Sequence, residues 1–307
     1  MLSFILKRLA IAIPVILIII AISFLLMHAA PGGPFTGERN LPPEVLENIE
    51  QKYGLNKPIY QQMFDYVWRI VTDFDFGPSF RYKSQSVNDL IASGFPVTLT
   101  YGFWSFVFAT LIGVTLGVIA AIKHNSWLDY LATGTAIVGS VLPNFVMAPL
   151  LVLLFTVYLN WLPGGGWEGG KIQFIILPVI ALATSYLATI ARITRSSMLE
   201  VLNSNFIRTA RAKGLPSRYI ILHHALKPAM LPVLTSLGLS FVGMITGSVV
   251  IDQFFSTGGI GQHFVNAALN RDYSVIMGVT ILVGTLTILF NLLVEILYAW
   301  IDPRIRY

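Results

Sequence analysis

The chain has 307 residues and a formal net charge of +5, yet only 11% of its residues are charged and 55% are hydrophobic. An ordinary soluble domain carries roughly 25% charge, so the composition excludes a water-soluble globular fold and marks an integral membrane protein. With no cysteine, disulfides, thiol chemistry and cysteine-ligated metals are excluded too.

A bilayer core takes about 20 apolar residues per helix, and six stretches qualify, at about 9–29, 97–122, 130–158, 172–191, 229–251 and 275–300. The expected fold is therefore an all-α membrane domain of six transmembrane helices with both termini on one side. If that side is the cytoplasm, the inner segments hold Lys7, Arg8, Lys123, Arg192, Arg195, Arg208, Arg211, Lys213, Arg218, Lys227, Arg304 and Arg306. Against them stand Asp129, Glu200 and Asp302, while the outer segments are net acidic. This is the positive-inside pattern. The basic balance reads as membrane orientation, not as nucleic-acid binding.

The first stretch follows Lys7 and Arg8 but runs from Leu9 to Met27, longer than the roughly 7 to 15 residues of a signal-peptide core. It reads as a retained span, kinked at Pro14. Residues of about 30–96 form the one sizeable water-facing segment, expected outside. Within it, Pro42-Pro43-Glu44 followed by Val45, Leu46, Ile49, Tyr53 and Gly54 predicts a short amphipathic helix. Tyr60, Phe64, Val67 and Val71 predict a second apolar helix face. Both are expected to lie against the outer membrane surface or partner subunits. No internal repeat divides the chain, so residues 1–307 read as one membrane domain.

Gly113 with Gly117, and Gly243 with Gly247, have the small-xxx-small spacing that lets helices approach closely. Gly165-Gly166-Trp167-Glu168-Gly169-Gly170-Lys171 imitates a phosphate-binding loop, but Ile172 stands where a magnesium-holding hydroxyl is needed. Gly164, Gly166 and Gly169 imitate a dinucleotide pattern without its preceding strand. A glycine-rich turn between the third and fourth spans is the expected structure. His223-His224 reads as part of a basic loop, because adjacent residues share no helix face for a metal. Glu295, late in the last span with Asn291 one turn earlier, reads as a helix-packing or snorkelling acid near the basic tail.

Thr235, Ser236 and Ser240 in the fifth span, with Asn144 in the third, are neutral hydrogen-bonding groups expected to line a conduit; interhelical hydrogen bonds are the competing use. Between the fourth and fifth spans lies Asn205-Phe206-Ile207-Arg208-Thr209-Ala210-Arg211-Ala212-Lys213-Gly214-Leu215-Pro216. Asn203 or Ser204 is expected to cap this short basic helix, Gly214 to end it in the left-handed conformation and Pro216 to prevent its continuation.

That segment resembles the cytoplasmic coupling loop of ABC importer permeases, with Arg208-Thr209-Ala210 in place of the usual Glu-Ala-Ala. Further likeness lies in Lys7-Arg8-Leu9, Ala30-Pro31-Gly32-Gly33-Pro34, Phe76-Gly77-Pro78-Ser79, Ser86-Val87 and Phe95-Pro96-Val97-Thr98-Leu99. It continues through Ala225-Leu226-Lys227-Pro228, Gly258-Gly259-Ile260-Gly261, Asn270-Arg271-Asp272-Tyr273 and Ile301-Asp302-Pro303-Arg304-Ile305-Arg306-Tyr307. Over nearly its whole length the chain is similar to the B-type permeases of binding-protein-dependent oligopeptide importers. It departs from the general importer motif at Arg208, which removes the motif's acid, and at Pro228, one residue late.

The resemblance implies a type I ABC importer permease fold in the bacterial inner membrane, with both termini and a coupling loop of about 192–228 in the cytoplasm. It also implies a homologous second permease, two ATPase subunits and a periplasmic peptide-binding protein as partners. Arg208, Thr209, Ala210, Arg211, Ala212, Lys213, Gly214 and Leu215 would contact the ATPase. ATP and magnesium would bind the partners; no cofactor, metal or catalytic residue is expected here. The rival readings are a self-contained secondary transporter or channel, for which Glu295 is the clearest intramembrane acid, and a membrane enzyme, for which no paired catalytic groups are found.

Overall fold

The computed structural model describes residues 2–29, 56–82, 84–246 and 249–301, and its regular elements are helices apart from an isolated bridge between Pro78 and Ser86. In chain order they are α1 (Leu2–Ala29), α2 (Ile59–Asp73), α3 (Val87–Ile122), α4 (Trp127–Val141), α5 (Asn144–Val152) and a π-helical turn (Leu153–Tyr158). Then come α6 (Ile172–Leu202), α7 (Asn205–Ala212), α8 (Ser217–Tyr219), a second π-helical turn (Ile220–Ala225), α9 (Leu226–Thr246), α10 (Val249–Phe254), α11 (Ile260–Asn270) and α12 (Tyr273–Ile301). The helix expected over residues 42–53, the run 30–34, Gly247 and the tail 302–307 lie outside the described residues.

Five helical segments are long and apolar enough to cross a bilayer, and α4 with α5 makes a sixth if the bent pair is one span. The stretch expected as one helix over 130–158 is two helical halves, Trp127–Val141 and Asn144–Tyr158, bent by 108° at the break between them. Pro143 has no N–H to continue the ladder, and its ring drives the preceding Leu142 to an extended ψ of 114°, the conformation a residue before proline favours. The second span starts ten residues earlier than hydropathy suggests. Ser86 Oγ accepts the Asp89 N–H at 3.1 Å while Asp89 Oδ2 accepts the Ser86 N–H at 2.8 Å, a reciprocal box that opens α3.

The chain divides into two compact units, Met1–Phe95 with Gln262–Tyr307, and Pro96–Gly261. In the first, α1 packs along α12. Gly284 admits Ile19, whose side chain lies 3.3 Å from where a Cβ would be. Arg8 Nε lies 3.0 Å from Glu295 Oε2, so the beginning of α1 meets the end of α12. Glu295 is therefore a packing acid whose cation comes from the first span.

The α2 helix buries Tyr66 and Ile70 against Ile20, Phe24, Met277 and Ile281. The predicted apolar face is a different one: Tyr60, Phe64 and Val71 are exposed and Val67 is half-buried, which leaves that face open to the membrane surface or partner subunit expected there. Beyond α2, buried Ser79 donates its hydroxyl to Asp272, which also accepts the Phe80 N–H at 3.2 Å.

In the second unit α6 is central, packed by α4, α5 and α9. Lipid tails are as apolar as leucine, so helices gain little from hydrophobicity inside a bilayer and rely on close contact. Small residues provide it. A Cβ on Gly117 would lie 2.6 Å from the Ala191 carbonyl oxygen, and one on Gly113 would lie 3.0 Å from that of Leu187, so this pair packs α3 on α6 as its spacing predicts. Gly243 faces the Tyr186 hydroxyl, 2.5 Å from a would-be Cβ.

Candidate functional site

The α7 helix is seated on its own chain by Ile207 and Ala210, both buried among Met198, Ile220, Ala225 and Ala229. Its start departs from expectation. Ser204 occupies the N-cap position, but its hydroxyl donates backwards to the Val201 carbonyl at 2.6 Å, and Asn203 Nδ2 donates to Leu199 O at 2.9 Å. Both side chains serve the preceding helix end, leaving the α7 N-terminus without a side-chain cap. The other end is as expected. Gly214 has φ +74°, its N–H reaches Arg211 O at 2.9 Å, and the Leu215 N–H reaches Ala210 O at 3.4 Å. This pair of bonds is the Schellman closure. Pro216 then caps α8.

The segment has two faces. Arg208, Thr209, Arg211, Ala212, Lys213 and Gly214 are exposed, whereas Ala210 is buried and Leu215 half-buried in the seat. Among the described residues Arg208, Arg211 and Lys213 have no acidic partner. A Cβ on Gly214 would meet nothing within 4 Å. The outer surface is thus a small, rigid, cationic platform held by two apolar anchors.

The four expected path residues do not share one surface. Thr235 is exposed, Ser236 and Asn144 are half-buried, and Ser240 is buried. Thr235 lines up with exposed Leu231 and Leu239 at helical spacing, while Ser236 and Ser240 follow another face. Asn144, at the start of α5, accepts the Ser185 hydroxyl at 3.0 Å, an interhelical use.

The glycine-rich segment is a turn. The Gly166 N–H is committed to Phe255 O at 2.7 Å, and Lys171 Nζ donates to Glu168 Oε2 at 2.8 Å. His223 and His224 sit in a π-helical turn, not a loop, with the His223 ring stacked on Tyr219 at 4.3 Å. No group of three metal-ligating side chains occurs among the described residues.

Sequence reasoning missed two buried carboxylates in the second unit. Asp129 is clasped by Arg195 and flanked by His124 at 3.2 Å. Asp252 accepts the hydroxyls of Thr98 at 2.8 Å and Thr257 at 2.9 Å and the Gly261 N–H at 3.1 Å. Thr98 and the Gly258–Gly261 run were visible as motifs; their meeting at Asp252, 154 positions from Thr98, was not.

Residues 113–307 match the family described as binding-protein-dependent transport system inner membrane component, and residues 1–102 match its N-terminal counterpart. The chain belongs to this family. Among similar members, the oligopeptide transport system permease protein OppB of Escherichia coli (strain K12) is 61% identical over 307 residues, covering all of both chains. The dipeptide transport system permease protein DppB of Bacillus subtilis (strain 168) is 42% identical over 306 residues, covering 100% of this chain and 98% of that one. A solved structure of the MetNI methionine ABC transporter in inward-facing conformations aligns with TM-score 0.60 at 18% identity, over 69% of this chain and 96% of the other. The fold is that of ABC importer permeases, and the chain is a membrane permease subunit. Family membership sets aside the self-contained secondary transporter and channel readings.

Proposed function

We propose that this permease carries oligopeptides from periplasm to cytoplasm as one half of a translocation path completed by a homologous second permease. The single observation that carries the coupling half of this reading is the two-faced α7 segment. Ile207 and Ala210 anchor it, and Arg208, Thr209, Arg211, Ala212, Lys213 and Gly214 face outward without acidic partners among the described residues. A cationic helix anchored at two points transmits a push to α6 and α9 as a rigid body. Two ATPase subunits supply that push by closing on ATP and magnesium, and this chain holds no cofactor of its own. Arg208 replaces the usual acid, so the ATPase groove should offer acidic or neutral acceptors there.

The peptide substrate follows from the full-length identity to oligopeptide permeases, and a periplasmic binding protein delivers it. Both units act as one permease domain in the bacterial inner membrane, with both termini and residues 192–228 cytoplasmic and the segment around 30–96 periplasmic. Of the proposed path residues, Thr235 and Ser236 remain candidates for the lining. Asn144 and buried Ser240 serve it only if helices rearrange during the cycle. Reconstitution of the chain with its partner permease, ATPases and binding protein tests the reading: peptide accumulation should require ATP and every partner. Uptake that persists without the ATPases would overturn it.

A further inference from the structure

A groove of about 370 Å³ runs between α3, α4 and α6, lined by Ala120, Ala132, Ala136 and Ile137 among others, with Arg192 and Arg195 at one end. It exists because small side chains occupy positions where leucine would fill the space. The arginine end lies at the level of the α3–α4 connection, since Arg195 clasps Asp129 in the first turn of α4. Around that connection Lys123, Trp127 and Tyr130 are exposed, the side-chain types that mark the membrane–water boundary. From Ala132 the groove follows α4 to Ser140, about 12 Å of helix at 1.5 Å per residue. A charged end at headgroup level and an apolar trough running into the bilayer have the shape of one lipid.

The charges favour an anion. Arg192 is exposed and has no acidic partner among the described residues. It precedes Arg195 by one helical turn, on neighbouring ground. Arg195 gives Nε and Nη2 to Asp129, which neutralises that carboxylate and holds the guanidinium still. Glu200 lies further along α6 and is exposed to water.

We infer that this groove binds an anionic phospholipid, with its phosphate on Arg192 and Arg195 and an acyl chain along Ala132, Ala136 and Ile137. Basic pockets between spanning helices bind such headgroups. A soluble phosphate would leave the trough unfilled. An apolar helix of another subunit would bury Arg192 without a counter-charge, an expensive arrangement in a membrane.

The inference needs only that the chain spans a bilayer, so its failure would leave the peptide reading standing. The test is native mass spectrometry of the complex purified with its partners and titrated with phosphatidylglycerol or phosphatidylethanolamine. Phosphatidylglycerol should bind preferentially, Arg192→Gln should weaken it about fivefold, the worth of one basic residue near an anionic surface, and Arg192→Lys should restore most of the loss. Ile137 is 54% exposed, so Ile137→Trp should fold and reduce retention of both lipids by filling the trough. Equal phosphatidylglycerol binding by wild type and Arg192→Gln would overturn the inference. So would competition by glycerol phosphate at equal concentration, which would mark a headgroup-only site, or disulfide crosslinking of Ile137→Cys to a cysteine scan of the partner permease, which would mark a subunit contact.

Discussion

Arg195 holds Asp129 through two nitrogens, with Nε 2.6 Å from Oδ1 and Nη2 2.9 Å from Oδ2. The pair ties α6 to the first turn of α4, and the Asn125 N–H adds a third donor at 3.0 Å. Their exposures are unequal: the Asp129 side chain is 3% exposed and that of Arg195 27%. Removing the arginine strands a buried anion, whereas removing both charges strands no charge and leaves the Asn125 N–H and the Thr133 hydroxyl to find other acceptors. Arg195→Met should therefore destabilise the permease by about 3 kcal/mol, and Asp129→Leu combined with Arg195→Met should recover much of that loss. Thermal unfolding in nanodiscs checks the order. A double variant no more stable than Arg195→Met would show that the stranded charge is not the cause.

Neighbouring glycines at 258 and 259 should respond differently to the same added methyl. Gly258 has φ +77° with nothing within 4 Å of a would-be Cβ, so alanine there meets only the backbone penalty of about 1–2 kcal/mol. A Cβ on Gly259 would sit within 2.6 Å of all three Asp252 carboxyl atoms, which are already fixed by Thr98 and Thr257. Gly259→Ala should thus be the more damaging change in melting temperature and in yield of assembled complex. Equal effects, or a milder Gly259→Ala, would mean that Asp252 is free to move aside.

Hydropathy made five membrane-length helices legible and turn chemistry the left-handed Gly214, because both are local properties of the chain. Helix ends were less so. Ser86 and Asp89 carry a capping signal that an apolar-window reading passes over, and Leu142-Pro143 sits within a stretch apolar enough on average to read as one span, hiding a 108° bend. The face of α2 that buries within the chain went unread because Tyr66 and Ile70 look no more apolar than Phe64 and Val71; only the partners on α1 and α12 single them out. The carboxylate hubs were illegible for a similar reason. Ser79 and Asp272 each stand in a motif of their own, but 193 positions apart, and neither motif says that the two meet. In α7, composition gave the charge, but which alanine faces outward depends on the apolar seat beneath it.

Topology is open to direct labelling because the chain has no cysteine. Ser79 is a poor reporter, being buried at 3% and bonded to Asp272. Ser84 and Ser217 are exposed and suit the purpose. An impermeant maleimide should label Ser84→Cys in intact spheroplasts and Ser217→Cys only after permeabilisation, as the positive-inside charge distribution requires. Reversed labelling would invert the membrane orientation and place the α7 platform out of reach of any cytoplasmic ATPase.

Two alanines of α7 separate seating from coupling. Ala210 is buried with Ile207 in the apolar seat, and a large side chain there must displace Met198 or its neighbours, at about 1–3 kcal/mol for overpacking. Ala210→Trp should therefore lower thermal stability. Ala212 is exposed and Gly214 opens onto empty space, so Ala212→Trp and Gly214→Trp should leave assembly of the permease largely intact. A tryptophan on the outer surface would instead hold an ATPase groove away from Arg208, Arg211 and Lys213. The expected outcome in the reconstituted importer is loss of peptide uptake and of binding-protein-stimulated ATP hydrolysis for Ala212→Trp and Gly214→Trp, with near-normal melting temperatures. Wild-type uptake and hydrolysis in both variants would remove the coupling role from this surface, whereas loss accompanied by the same unfolding as Ala210→Trp would assign the defect to the seat.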